Sequence, residues 1–114
     1  MKYKLVPVDQ SDRELLELAA KAAGLTVMWS EPFKRYERFV LEKYAGPWNP
    51  LEHDGDALRL AVDLEIVIGY KPAPYAELPS RLRLFGVGKD QASRMRMAIV
   101  RAAAEIGKLK HSGE

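Results

Sequence analysis

The sequence contains no cysteine, and this absence excludes disulfide bonds and thiolate metal sites. Such usage is typical of proteins kept in a reducing cytosol. No apolar run approaches the roughly 20 residues that a membrane-spanning helix needs, and residues 1–6 lack the long apolar segment of a signal peptide. We therefore expect a cytoplasmic protein with no membrane partner.

The chain is also poor in catalytic and nucleotide-binding motifs. It has two histidines, no Gly-x-Ser-x-Gly and no Walker loop. One histidine, His111, lies near the end of the chain. The other, His53, has the acidic neighbours Glu52, Asp54 and Asp56, but successive helical positions do not converge on one metal ion. The sequence therefore predicts no catalytic residue, no metal and no cofactor, and a small hydrolase or metal-dependent enzyme is the least favoured alternative.

The chain is long enough for one domain, with 114 residues of which 47% are hydrophobic and 30% charged. We expect a single domain over residues 1–110 and a frayed tail over 111–114. The net charge of +2 is unevenly distributed, because residues 1–79 carry 10 Lys and Arg against 13 Asp and Glu, whereas residues 80–114 carry 8 against 3. The basic last third indicates either a solvated face or a surface for nucleic acid.

Three segments have helical periodicity. The first begins at Ser11 as a cap and ends before Gly24, a typical C′ residue. The second ends near Leu64, and the third runs from about Asp90 to Lys108. The third has an apolar stripe at helical spacing, formed by Met95, Ala98, Ile99, Ala102 and Ile106.

Four segments between the helices resemble strands, at residues 25–29, 36–43, 65–70 and 82–87. Residues 71–75 contain two prolines, which cannot donate to a strand ladder, and this predicts a surface loop. The order of helices and strands predicts an α+β fold. In it, a mainly antiparallel sheet of roughly four strands is packed by three helices.

Residues 48–58 are the most informative stretch, because they combine a strand end, a tight turn and a helix start. Asn49 is a good N-cap, and Pro50 suits the first helical position. Trp48 is placed to close the core. Gly55 inside a helix costs about 1 kcal/mol relative to alanine, which suggests a close backbone contact. The apolar residues Leu51, Leu58, Ala61 and Val62 fall at the spacing of one helical face.

Three parts of the chain resemble small proteins encoded by bacteriophages and prophages, among them the phage ABA sandwich domains. These parts are the amphipathic helix at 15–24, Trp-Asn-Pro at 48–50 followed by Asp-Gly-Asp-Ala-Leu at 54–58, and the Ala-rich helix at 98–107. The loop at 72–79 departs from the pattern. The resemblance implies helices on both faces of a sheet and an accessory role in the bacterial host cytoplasm. It assigns no activity and no catalytic residue.

A chain without a catalytic constellation can still act through an exposed surface. The candidates for binding a host or phage protein, or a small ligand, are Tyr70 and Tyr75 around the Pro-rich loop and the acids Asp54 and Asp56. The same faces allow a homodimer.

Nucleic-acid binding is the main alternative. The glycine-rich turn at 85–90 leads into the third helix, where Lys89 and Arg94 could hold a phosphate, with Arg101 extending the basic surface. A plain strand-to-helix turn is the simpler interpretation of the same residues.

Overall fold

The computed structural model describes residues 10–112, which form three helices and six strands. The helices are α1 (Gln10–Ala23), α2 (Asp54–Asp63) and α3 (Gln91–Ser112). The strands are β1 (Thr26–Ser30), β2 (Arg35–Val40), β3 (Lys43–Trp48), β4 (Val67–Gly69), β5 (Tyr75–Glu77) and β6 (Arg83–Phe85). The α+β class and the three helices are confirmed. The single sheet of about four strands is wrong, because the strands form two separate antiparallel sheets of three.

The predicted chain ends can be compared only in part with this structure. Helix α3 continues through Ser112, while residues 113 and 114 of the expected tail lie outside the described residues. The N-terminal segment considered as a signal peptide also lies outside them. Ser11, predicted to cap the first helix, lies inside α1.

The first sheet, sheet A, has the order β1-β2-β3. The predicted strand at 36–43 merged β2 with a two-residue turn, in which Leu41 and Glu42 both have positive φ. Strand β3 was not among the four predicted strands, because Gly46 and Pro47 are unusual in strands, although its end at Trp48 was interpreted as a strand end. It is an edge strand, where proline is tolerated because a missing donor can face away from the sheet.

The second sheet, sheet B, has the order β4-β5-β6. The predicted surface loop at 71–75 is confirmed for residues 71–74, of which 71–73 are exposed, and is wrong only at Tyr75. Pro72 and Pro74 precede β5, so neither removes a donor from the ladder. Tyr75, placed in the loop by the prediction, is the first residue of β5 and pairs with both Gly69 and Phe85. Ala76 is fully buried.

Helix α3 is the centre of the molecule. Its predicted stripe is confirmed, since Met95, Ala98, Ile99 and Ala102 are buried, and Ile106 packs against the core. The other face is buried as well, through Val100, Ala103 and Ala104. Helices α1 and α2 and strands β5 and β6 all pack on α3. The resemblance implied helices on both faces of one sheet, and the observed arrangement differs from this. One face of each sheet is open to solvent, as shown by the exposed residues Met28 and Tyr44 of sheet A and Val67 and Phe85 of sheet B.

Helix α1 crosses α3 closely and is tied to it at its end. A Cβ added to Gly107 of α3 would overlap the carbonyl oxygen of Leu18 and lie 2.8 Å from its carbonyl carbon. The predicted end of α1 at Gly24 is confirmed: Gly24 has φ of +70°, and the amide of Leu25 donates to the carbonyl of Ala20 at 2.9 Å. These are features of a Schellman motif. Lys110 Nζ donates to the carbonyl of Ala22 at 2.6 Å, which satisfies one of the free carbonyls at the end of α1.

The start of α2 lies later in the chain than predicted. Asn49 caps a separate turn over residues 49–53, in which its Oδ1 accepts from the amide of Leu51 at 3.1 Å. His53 is the N-cap residue and makes no side-chain cap bond. Because Leu51 lies outside the helix, the apolar face predicted from its spacing to Leu58 is not the face that is buried. Ala57, Leu60 and Ala61 are buried, whereas Leu58 and Val62 are exposed.

Candidate binding groove

An open groove of about 480 Å³ lies between α2, the end of β4 and the start of α3. Its walls carry apolar side chains that solvent reaches, namely Leu58, Ile68 and Tyr70. Its floor is formed by Met95 and Ile99 of the α3 stripe, both buried. Clefts of a few hundred Å³ with apolar walls and few polar groups are typical ligand sites.

The buried turn at residues 48–50 positions the α2 wall of this groove. Trp48 is buried as predicted, and it packs in the same core cluster as Leu60. Asn49 is the one buried polar residue in the described core, and its backbone amide donates to Asp56 Oδ2 at 2.9 Å. The side chain of Asp56 thus holds the turn against the first turn of α2.

An ion pair between Asp54 and Arg96 connects the two walls of the groove. Arg96 Nη1 lies 2.6 Å from Asp54 Oδ1, and Arg96 Nε donates to the carbonyl of Leu51 at 2.8 Å. The Arg96 side chain is only 16% exposed, whereas that of Asp54 is 80% exposed. The guanidinium is therefore held in place by two partners, and the carboxylate remains accessible at the rim.

The structure brings together two of the four predicted partner-binding residues. Asp54 and Tyr70 both line the groove, although 16 positions separate them in the sequence. Asp56 is half-buried and holds the amide of Asn49, so it is a structural residue of the turn. Tyr75 lies in sheet B and does not line the groove.

Two of the three predicted anion-binding residues, Arg94 and Arg101, donate to backbone carbonyls. Arg94 Nε donates to the carbonyl of Gly88 at 3.0 Å, and Arg101 Nη1 donates to that of Phe85 at 2.8 Å. Both arginines thus tie α3 to the segment that precedes it. Lys89 is exposed, and no hydrogen bond joins it to either of them.

Asp90 caps the start of α3. Its Oδ1 accepts from the amide of Ser93 at 2.8 Å, and Ser93 Oγ accepts from the amide of Asp90 at 3.1 Å. The bond from the Ser93 amide is the main reason why the pKa of Asp90 is lowered. A Cβ on Gly86 would lie 2.7 Å from the amide nitrogen of Ala98. Close packing on α3 therefore explains this glycine.

A second cleft lies between α1 and β1 and is lined in part by Tyr36. Burial raises the pKa of Tyr36 to about 12, and its hydroxyl donates to Glu17. Arg13 Cζ lies 3.9 Å from the centroid of the Trp29 ring beside it. The Tyr36 ring is buried, which makes it a core residue.

Among the described residues, no group of three or more His, Asp or Glu side chains is arranged to hold a metal ion. The same part of the chain contains no helix long and apolar enough to cross a membrane. Comparison of the chain with protein-family models, with curated proteins and with solved structures gives no match.

Sequence reasoning missed several residues of the groove, namely Leu58, Ile68, Met95, Arg96 and Ile99. Leu58 had been assigned to the buried face of its helix. One signal in the sequence could have indicated that Leu58 is exposed. Ala57 and Ala61 already provide small residues for packing on one face of the helix, and Leu58 and Val62, four positions apart, form a second apolar row.

Proposed function

We propose that this protein acts by binding a partner protein, and that the groove between α2, β4 and α3 receives an apolar side chain of that partner. The observation that carries the proposal is the exposure of Leu58, Ile68 and Tyr70 around a buried apolar floor. Covering apolar surface yields roughly 25 cal/mol per Å². A partner side chain in the groove would therefore gain affinity without any catalytic group.

The charges at the rim favour a partner with a basic residue beside its apolar anchor. Asp54 is exposed, and Glu52, two positions before it in the sequence, is exposed as well. Arg96 offsets part of this charge but is itself mostly covered. Exposed carboxylates steer a basic partner toward the groove and set its orientation more than they add affinity.

The setting of this interaction rests on the resemblance to phage and prophage proteins. It supports an accessory role inside an infected bacterium, in which the partner is a host or phage protein. The four-residue spacing of Leu58 and Val62 offers a test that does not depend on that setting.

Leu58→Glu and Val62→Glu form a matched pair for this test. Leu58 and Val62 both lie on α2, and their exposed fractions are similar, at 58% and 65%. Only Leu58 lines the groove. We expect immobilised wild-type protein and Val62→Glu to retain the same partner from bacterial lysate, and Leu58→Glu to lose it. Melting curves of the three proteins check that all are folded. Equal retention by all three, or retention by none, would refute the groove as the interface.

Two other occupants would give different results with the same proteins. A small apolar ligand would appear in native mass spectra of the wild type and of Val62→Glu as a constant added mass. A second copy of the chain would appear as a concentration-dependent dimer in sedimentation experiments. Either result would replace the partner protein in this proposal.

A further inference from the structure

The outer face of sheet B carries a cluster of aromatic and guanidinium groups. Side chains alternate between the two faces of a strand, and Ala76 at the middle of β5 is fully buried, so its neighbour Tyr75 lies on the outer face. Tyr75 pairs directly with Phe85 of β6 on one side and with Gly69 of β4 on the other. These three residues form one row across the sheet.

The Tyr75 ring lies across Gly69 and contacts both neighbours. A Cβ on Gly69 would lie 2.6 Å from Tyr75 Cε2, so the ring occupies the space that a side chain at this position would take. The ring centroids of Tyr75 and Phe85 are 6.0 Å apart, and Arg83 Cζ lies 4.2 Å from the centroid of Tyr75. Phe85 is 44% exposed and the Arg83 side chain 47%. The Phe85 ring, tilted relative to the Tyr75 ring, and the Arg83 guanidinium are therefore both partly open to solvent.

Sheet B carries slightly more net positive charge than sheet A. Residues 67–85, from the first to the last residue of sheet B, carry three Lys and Arg and one Glu. Residues 26–48, which contain sheet A, carry four Lys and Arg and three Glu. Lys71 and Arg81 are exposed in the connections that follow β4 and β5, and Lys89 is exposed after β6, directly before the acid Asp90.

We propose that the outer face of sheet B binds single-stranded nucleic acid, with bases stacked on Phe85 and on the Arg83 guanidinium above Tyr75. Aromatic rings and guanidinium planes are the surfaces on which unpaired bases stack. The exposed Lys71, Arg81 and Lys89 would neutralise phosphates of the same strand. No helix projects from this face to enter a duplex groove in the described part of the chain, so unpaired bases fit it better than a duplex.

The proposal moves the nucleic-acid surface away from the basic helix. Six of the eight Lys and Arg residues after position 79 have an intramolecular partner: Arg83, Arg94, Arg96, Arg101, Lys108 and Lys110. Arg83 differs from the other five because its partner Glu77 lies on the outer face of sheet B itself, beside the aromatic row.

Fluorescence anisotropy with labelled dT20, rU20 and a 20-base-pair duplex, in about 50 mM salt, tests this surface. We expect both single strands to bind more tightly than the duplex, with an affinity that falls steeply as salt is added. Phe85→Leu and Arg83→Gln should each weaken single-strand binding by about tenfold, because base stacking contributes on the order of one tenfold step or more per base.

Tyr44→Leu is the matched control, because Tyr44 forms a similar aromatic pair with Phe39, at 5.7 Å, on the outer face of sheet A. Its affinity should equal that of the wild type. The proposal is overturned if micromolar protein leaves the anisotropy unchanged, if the duplex binds as tightly as the single strands, or if Phe85→Leu and Arg83→Gln bind like Tyr44→Leu. It is also overturned if light scattering shows a dimer that Phe85→Leu disrupts, since a second copy would then cover this face.

Discussion

Gly107 and Gly55 should respond to the same substitution with opposite signs. Both are helical glycines without positive φ, one in α3 and one in the first turn of α2. Replacing a helical glycine with alanine gains about 1 kcal/mol where space permits, mainly through backbone entropy and solvation. At Gly55 no atom lies within 4 Å of the added Cβ, so the gain is unopposed. The close contact expected at this glycine is absent.

At Gly107 the new methyl group would meet backbone. Its nearest neighbours are the carbonyl oxygen, the carbonyl carbon at 2.8 Å and the Cα at 3.2 Å, all of Leu18. None of these atoms can move by a change of rotamer, so α1 and α3 must separate along their interface. Overpacking costs about 1–3 kcal/mol, and backbone contact places this site at the upper end. After the helix-propensity gain of about 1 kcal/mol, we expect Gly107→Ala to lower the free energy of unfolding by about 2 kcal/mol.

Urea unfolding followed by circular dichroism measures both effects. We expect the midpoint to fall for Gly107→Ala and to rise for Gly55→Ala, with m-values unchanged in both. In a thermal scan the shifts should be about 8 °C downward and about 2–4 °C upward. A rise of the midpoint for Gly107→Ala, comparable with that of Gly55→Ala, would refute the close crossing of α1 and α3.

Three further substitutions test the core and the turns. Trp48→Ala should lower the free energy of unfolding by about 3 kcal/mol or more, because it empties a buried site; an unchanged melting temperature would place Trp48 at the surface. Glu65 follows α2 with φ of 56°, so Glu65→Gly should raise stability by about 0.5–1 kcal/mol, whereas Asp63→Gly inside α2 should lower the urea midpoint. The pKa of Tyr36 is about 12 in the folded protein and 10 for an ordinary tyrosine. The protonated hydroxyl therefore contributes fully to the free energy of unfolding below pH 10, and this contribution falls as the pH rises toward 12. Between pH 10 and 12 the free energy of unfolding should fall less for Tyr36→Phe than for the wild type. Identical profiles of stability against pH for the two proteins would contradict the raised pKa of Tyr36.

The sequence by itself determined features that depend on a few neighbouring residues. The end of α1 at Gly24 follows from the freedom of glycine to adopt positive φ, and the buried stripe of α3 follows from a spacing of 3.6 residues per turn. The alternation of three helices with strand-forming segments followed from the same local signals, and so did the burial of Trp48, although β3 and β5 were not predicted. The start of α2 did not, because Asn49 and Pro50 suit a capped turn as well as a helix start, and local signals cannot separate the two.

Only the tertiary structure decided what lies opposite each residue. The division of six strands into two sheets, and the placement of Tyr75 in a central strand, depend on which strands meet after the chain has collapsed. The carbonyls bonded by Arg96 and Lys110 lie 45 and 88 positions away in the sequence. No spacing rule reaches that far, because such pairs are selected by the packing of whole elements and the need to satisfy buried polar groups. The groove exists for the same reason, since its apolar walls belong to three elements that meet only in the folded chain.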